Sequence, residues 1–263
     1  MSAHDIERKP FAERLIAAAR RDSAAPALLH KERGAWVFRR WSEVLEEIDR
    51  LAAGLKQLGL EPGDQVAVEG QVTARLFLAG AAIRAAGGRI LAVHSSASGA
   101  DRSALLAEPS LALVIAQGRE ALAEWSEAAR AQRRVPIVFD HATPDSRPPA
   151  EGIVTLAALR SLGERERWSA DGAVALGNRP LPVTWFEEST DWPEGLDVIL
   201  DHWLSAGGAV ALPELLAAAP RDRLELSPQN WIASRARLDA AERSVRDRLP
   251  ERRTLAGQLV DGA

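Results

Sequence analysis

Apolar and polar positions along this chain repeat with two different periods, and each change of period marks an element boundary. Over residues 10–21 the apolar side chains recur at helical spacing, which predicts an amphipathic helix. PALLHK (26–31) and WVFRRW (36–41) flank Gly34 as two short strand-like runs, the pattern of a hairpin. Leu51, Leu55 and Leu58 belong to the next helix, which Ser42 is placed to cap and whose first turn holds Glu43 and Glu46. Gly59 offers a left-handed cap at its end, and Pro62-Gly63 forbids any continuation. The chain must reverse there. Asp64 can hold the turn through its side chain, and QVAVEG (65–70) reads as a buried strand.

The alternation then becomes regular. A small-residue helix (73–86) precedes the strand RILAVH (89–94). A helix near 100–107 leads to LALVIA (111–116), and a helix over 119–131 to VPIVFD (135–140). Short apolar strands separated by helices of this length predict an α/β fold, a parallel-sheet sandwich with helices on both faces. Residues 141–170 are polar and Pro-rich, carry one short helix, and make the best seam. The expected division is a first α/β subdomain over 1–165, a partial second one over 166–250 and a loose tail over 251–263. Within the second, DGAVALG, LPVTWF, GAVALPE and RLELSP are strand candidates, interleaved with a helix over 192–206. An arginine-rich amphipathic helix is expected over 231–249, and there is no internal repeat.

Composition narrows the partners. A chain of 263 residues with 46% hydrophobic and 27% charged residues can bury a substantial core. Its formal net charge of −4 gives no support to a nucleic-acid or anionic-membrane partner. Cysteine is absent, which excludes disulfides, thiolate catalysis and Cys-based metal sites and suits a reducing cytoplasm. The charged N-terminus, MSAHDIERKPFAERL, is not a secretory signal, and no apolar stretch reaches membrane-spanning length. A cytoplasmic protein is expected. Its only lysines are Lys9, Lys31 and Lys56.

WSEVLEEIDRLAAGLKQLGLEPGDQVAVEG, followed by LFLAGAAIRAAGGRILAVHSSASGADRSALLAEPSLALVIAQG, resembles the opening of the AMP-forming adenylating enzymes, the superfamily of acyl-CoA synthetases, luciferases and adenylation domains. LSAGGAVALPE and RLELSPQNWIASRARLDAAERSVRDRLP are similar to a later stretch of long-chain acyl-CoA synthetases, so the likeness runs over most of residues 10–250. The resemblance implies the N-terminal subdomains of that fold. It also implies a reaction, activation of a carboxylate by ATP and Mg²⁺ to an acyl-adenylate with transfer to a thiol such as coenzyme A. That chemistry requires a Ser/Thr/Gly-rich loop ending in Pro-Lys-Gly, because only a glycine-rich turn brings several backbone N–H groups to a triphosphate. At the corresponding place this sequence reads DGAVALGNRPLPVTW (171–185), and no such loop occurs elsewhere. The family's histidine in Leu-Pro-x-x-His is replaced by Trp185. The adenine site, the ribose-binding aspartate, the hinge and the C-terminal lid with its lysine would lie beyond residue 250 and are expected to be absent.

Six residues are candidates for ligand binding. His94, Ser95 and Ser96 lie just past a strand, at the edge where open α/β sheets bind ligands, although an ordinary strand-to-helix turn with a capping serine is the favoured reading. Asn178 and Arg179 are placed to grip a phosphate, or simply to form a hairpin turn. Trp185 would line an acyl pocket with His94. Glu187, Glu188 and Asp191 have the chemistry of metal ligands, but Asp191, Pro193 and Glu194 also spell a helix start, so no metal is expected. His4, His30, His141 and His202 share no ligand spacing, and the arginines of 235–253 alternate with acidic residues as on a solvated helix face.

These readings predict a catalytically inactive acyl-CoA synthetase-like protein that needs no ATP or other cofactor. It would serve as a non-catalytic partner, regulatory or scaffold subunit in acyl or lipid metabolism. A homo-oligomer is expected, or a hetero-complex with an acyl-activating enzyme or another protein of acyl metabolism. The alternative is an acyl or acyl-CoA binding protein, or an enzyme fragment whose site another chain completes.

Overall fold

Phe11, Leu15, Ala18 and Ala19 fall on one side of a helix, and burying that side fixes the first element, α1 (Phe11–Arg21). The computed structural model describes residues 10–130, 135–140, 153–163 and 182–247. After α1, β1 (Pro26–Glu32) and β2 (Ala35–Arg40) form the expected antiparallel hairpin. Arg33 (φ 50°) and Gly34 (φ 78°) both take left-handed backbone, the two-residue turn whose twist matches paired strands. The Glu214 carboxylate holds that turn, accepting the N–H groups of Arg33 at 2.8 Å and Gly34 at 3.0 Å.

The chain continues through α2 (Trp41–Gln57), β3 (Gln65–Glu69), α3 (Ala74–Ala85), β4 (Arg89–Ala92), α4 (Gly99–Ala107), β5 (Leu111–Gln117), α5 (Arg119–Ala129) and β6 (Ile137–Asp140). It goes on with β7 (Ile153–Thr155), α6 (Leu156–Leu162), β8 (Val183–Phe186), α7 (Gly195–Ala206), β9 (Ala209–Leu212), α8 (Ala219–Leu226), β10 (Asn230–Ile232) and α9 (Arg235–Arg246). Two sheets result. The first runs β10-β8-β9-β1-β2 and is parallel except for the hairpin pair; the second, β4-β3-β5-β6-β7, is parallel throughout. This is the α/β sandwich that the strand-helix alternation predicts.

One apolar cluster joins the inner faces of both sheets. It takes Leu28, Val210 and Leu212 from the first and Val66, Val68, Leu113, Ile115 and Val138 from the second, with α1, α2, α3 and α7 between them. Helix α3 is buried all round, and its alanines and Gly80 are what allow such close neighbours. Trp203 of α7 is wedged at the centre, stacked on Trp41 at 4.5 Å and edge-on to Phe77 at 5.1 Å. Its indole N–H donates to the Ala27 carbonyl at 2.9 Å, so the ring's one polar atom is satisfied. On the outer face of the second sheet, α4 and α5 cover Ala67, Val114 and Ala116 through Leu106 and Trp125. On the outer face of the first, Ala219 of α8 packs with Leu29, Trp185, Ala209 and Ala211.

Residues through Ile232 make one compact unit and those from Ala233 a second, of which α9 is the described helix. Helix α9 buries no residue and carries the i,i+4 pairs Arg235–Asp239 and Arg246–Glu242, as a solvated face should. The boundary proposed near residue 165, Asn178, Arg179 and the strand candidate DGAVALG all lie outside the described residues.

Four sequence expectations are corrected. RLELSP is not a strand: residues 219–226 form α8, because Asp222 and Glu225, three apart, both reach the Lys31 ammonium from one helical face. The helix expected from Trp231 begins at Arg235, since Trp231 pairs with Trp185 in β10 and Ser234 caps the helix through the Arg237 N–H. Ser42 lies inside α2 rather than capping it, and Glu43 instead accepts the Arg40 N–H at 2.9 Å. Helix α7 starts at Gly195, not at Trp192, because Asp191 turns its carboxylate to another part of the chain.

Truncating the central wedge tests this packing. Trp203→Ala is expected to lower unfolding stability by about 3–5 kcal/mol in urea denaturation, since it empties a fully enclosed site and strips the facing ring of Trp41.

Candidate functional site

Parallel strands bring their C-terminal ends to one edge, and the turns leaving that edge carry polar side chains toward any ligand. Here β3 ends in Glu69-Gly70, β5 in Gln117-Gly118 and β6 in Asp140. With His30 of β1, the first turn of α3, residues 189–191 and residues 213–216, they line a cleft of about 1160 Å³.

Its floor is built on two buried carboxylates. Glu69, 4% exposed, receives Arg102 of α4 through two bonds of 2.7 and 3.2 Å and the Trp125 indole N–H at 2.7 Å. Arg102, 1% exposed, also meets Glu124 at 2.6 Å and donates to the Ala97 carbonyl. An ion pair survives burial only when its remaining lone pairs and protons are used in this way. Asp140 is held by Arg75 Nε at 3.0 Å and by Gln117 Nε2 at 3.0 Å. Gln117 is the hub of the floor: Nε2 also donates to Thr73 Oγ1 at 3.0 Å, and Oε1 accepts the Gln71 N–H at 2.8 Å. Gly70 (φ 151°) makes room for it, as a side chain there would meet Gln117 at 2.5 Å.

Several backbone donors at this edge are already engaged. The Gly70 N–H goes to Thr190 Oγ1 at 3.1 Å, and the Gly118 N–H to the Asp140 carbonyl at 3.1 Å. The Ser95 N–H goes to Asp191 Oδ1 at 2.7 Å, and the Ser96 N–H to His94 Nδ1 at 3.1 Å. Among the residues lining the cleft are seven carboxylates and five lysine or arginine side chains. Burial pushes the Asp191 carboxyl up, but the hydrogen bonds from Ser95 and Ser189 and the nearby His94 hold it below the usual carboxylate range.

The sequence candidates separate. Ser95 lines the cleft, whereas His94 and Ser96 form a local turn beside it, with Ser96 Oγ 2.8 Å and Asp191 3.5 Å from His94 Nδ1. Trp185 is fully buried in β8, edge-on to Trp36 at 6.3 Å, with its N–H donated to Glu187 at 2.6 Å. Neither Trp185 nor His94 lines this cleft. Glu187 is committed to Arg223 at 2.7 Å, and among the described residues no cluster of three metal-ligating side chains occurs. Sequence reasoning passed over Thr73, Arg75, Gln117, Asp140 and His30. A signal existed for Gln117 and Asp140, which end apolar strands of a parallel sheet. Nothing in the linear pattern showed that Arg75 or His30 would join them.

With this geometry in place, comparison with known proteins decides the family. A family model described as AMP-binding enzyme matches residues 15–169. The chain belongs to that family. Among functionally curated proteins none matches this chain in sequence. Among solved structures, acetoacetyl-CoA synthetase from Streptomyces lividans superposes with a TM-score of 0.65 at 17% identity, covering 89% of this chain and 44% of that one. A putative long-chain-fatty-acid CoA ligase from Rhodopseudomonas palustris gives 0.63 at 14% identity, covering 86% and 63%. A long-chain-fatty-acid-CoA ligase from Archaeoglobus fulgidus gives 0.63 at 9%, covering 84% and 51%. At such identities the family members share the fold, and this chain spans roughly half of their length. Among the described residues no helix is long and apolar enough to cross a membrane.

Two measurements probe the floor and rim. Arg102→Met leaves Glu69 buried without its cation, and urea denaturation at neutral pH should register a loss of about 3–5 kcal/mol. Asp191, with its lowered pKa, stabilises the fold above the ordinary carboxylate range, and that contribution disappears as pH falls through the lowered value. Asp191→Asn should therefore melt below the parent near neutrality, with the two melting curves converging as pH falls below the ordinary carboxylate range.

Proposed function

We propose that this chain is a non-catalytic member of the AMP-binding enzyme family, a partner, regulatory or scaffold subunit of acyl or lipid metabolism in the cytoplasm. It would act as a homo-oligomer or in a hetero-complex with an acyl-activating enzyme or another protein of acyl metabolism. The observation that carries the reading is one of sequence: no Ser/Thr/Gly-rich run ending in Pro-Lys-Gly occurs, and every lysine precedes residue 57. A nucleoside triphosphate carries about four negative charges and needs several aligned donors and a metal to offset them.

The cleft adds support from its charges. Carboxylates outnumber cationic side chains along its lining, and the amides of Gly70, Gln71, Ser95 and Gly118 already have partners within the protein. Lys31, the cleft's one lysine, is bound to Asp222 at 2.7 Å and Glu225 at 2.5 Å, and those hydrogen bonds raise its pKa above the usual lysine range. A second reading draws on the size of the cleft, which is ample for a small molecule. In that reading an acyl or acyl-CoA ligand binds and another chain completes the site.

Calorimetry of the purified chain with ATP–Mg²⁺, acyl-CoA and free fatty acid separates these readings. The expected result is no heat with ATP–Mg²⁺ and no pyrophosphate release with any carboxylate tried. Turnover by the pure chain would end the proposal, while heat with acyl-CoA alone would favour the second reading.

A further inference from the structure

His30 carries an unanswered polar atom. The residue is 8% exposed at the end of β1, lines the cleft, and keeps Nδ1 enclosed without a hydrogen-bond partner. Buried polar groups without partners are rare, and this one belongs to a side chain that borders the cleft. The ladder register defines its neighbours. His30 stands opposite Val37 and Leu28 opposite Arg39, so His30 and Arg39 are diagonal neighbours on one face of the hairpin. Arg39 lines the same cleft and makes no ion pair among the described residues. Across the cleft wall, the first turn of α3 presents Arg75, whose Nε is shared with Asp140 and whose side chain remains 45% exposed.

We propose that His30, Arg39 and Arg75 form a binding site for one small oxyanion, a carboxylate or a phosphate group, in the lobe of the cleft between the β1–β2 hairpin and the start of α3. Arg39 supplies an unshared charge, and Arg75 contributes the part that Asp140 leaves uncompensated. The pair therefore suits a single oxyanion rather than a polyphosphate. The site does not depend on whether the chain handles nucleotides, and its test is separate from the test for adenylation.

A secondary consequence concerns protonation. The charged groups facing His30 are Arg39 on β2, Arg75 on α3 and Glu32 on its own strand. Burial first, then the two arginines, hold the imidazole below its ordinary pKa, while Glu32 works in the opposite sense. An anion between the arginines cancels their field, so binding should raise the pKa of His30 and strengthen as pH falls through its titration range.

The experiment uses the full chain with inorganic phosphate in one arm and butyrate in the other. It follows heat by calorimetry and the His30 imidazole by NMR, with the resonance assigned by loss in His30→Gln. Saturable binding in either arm, with a rise in the His30 pKa, is expected, and the arm that binds more tightly names the source of the oxyanion. Arg39→Met, at a partly exposed position, should keep the parent's melting temperature and weaken binding on the order of tenfold or more. Arg75→Met should weaken it similarly wherever it folds. No saturable binding in either arm, or undiminished binding by Arg39→Met, overturns the proposal.

Discussion

Helix α3 has no face turned to water along most of its length, and the arrangement of this molecule depends on that burial. A helix between two sheets must be apolar all round and narrow, and ARLFLAGAAIRA meets both demands with alanines, Gly80 and only two arginines near its ends. Gly80 lies so close to Leu196 that an added methyl would come within 2.8 Å of it. Each arginine then reaches a carboxylate at the margin of the core, Arg75 to Asp140 and Arg84 to Asp197. Desolvation raises the Asp197 carboxyl above its usual range even against the nearby Arg84. The packing that seats α3 thus places Arg75 at the mouth of the cleft.

The same economy governs the cleft floor. Strands of a parallel sheet end together, so acidic residues at those ends are forced into proximity and partly out of water. Glu69 and Asp140 are both almost wholly buried, and each is stabilised by an arginine from a helix that follows or faces its strand. Those partnerships use up side chains that would otherwise meet a ligand. A cleft with the position expected of this fold therefore has an acidic, internally bonded lining, and its least satisfied groups lie at the hairpin end.

Membership of the AMP-binding enzyme family rests on the match over residues 15–169 and agrees with the superposition on acyl-CoA synthetases and ligases. Shared architecture fixes where a ligand would sit, while the chemistry performed there depends on particular residues. The proposal of a non-catalytic role follows from those residues and from the missing phosphate-gripping loop.

The sequence by itself determined the order of elements up to β6, the hairpin at Gly34, the parallel sheet and the family likeness. Those features are written in local spacing: a helical or strand period, a glycine cap or a proline stop acts between residues near in the chain. The same local rules misplaced Ser42, Asp191, RLELSP and Trp231: at Ser42 the neighbouring Glu43 took the capping role, and at the other three a partner distant in sequence won. Asp191 bonds the Ser95 amide, residues of 219–226 turn Asp222 and Glu225 to Lys31, and Trp231 joins a strand pair with Trp185. Only the tertiary structure decided that Gln117, Thr73 and Asp140 share one network, that Trp185 is core, and that His30, Arg39 and Arg75 line one cleft. Such groupings arise from packing sheets against helices, and hydrogen bonds and charge pairs between distant segments leave no period in the chain.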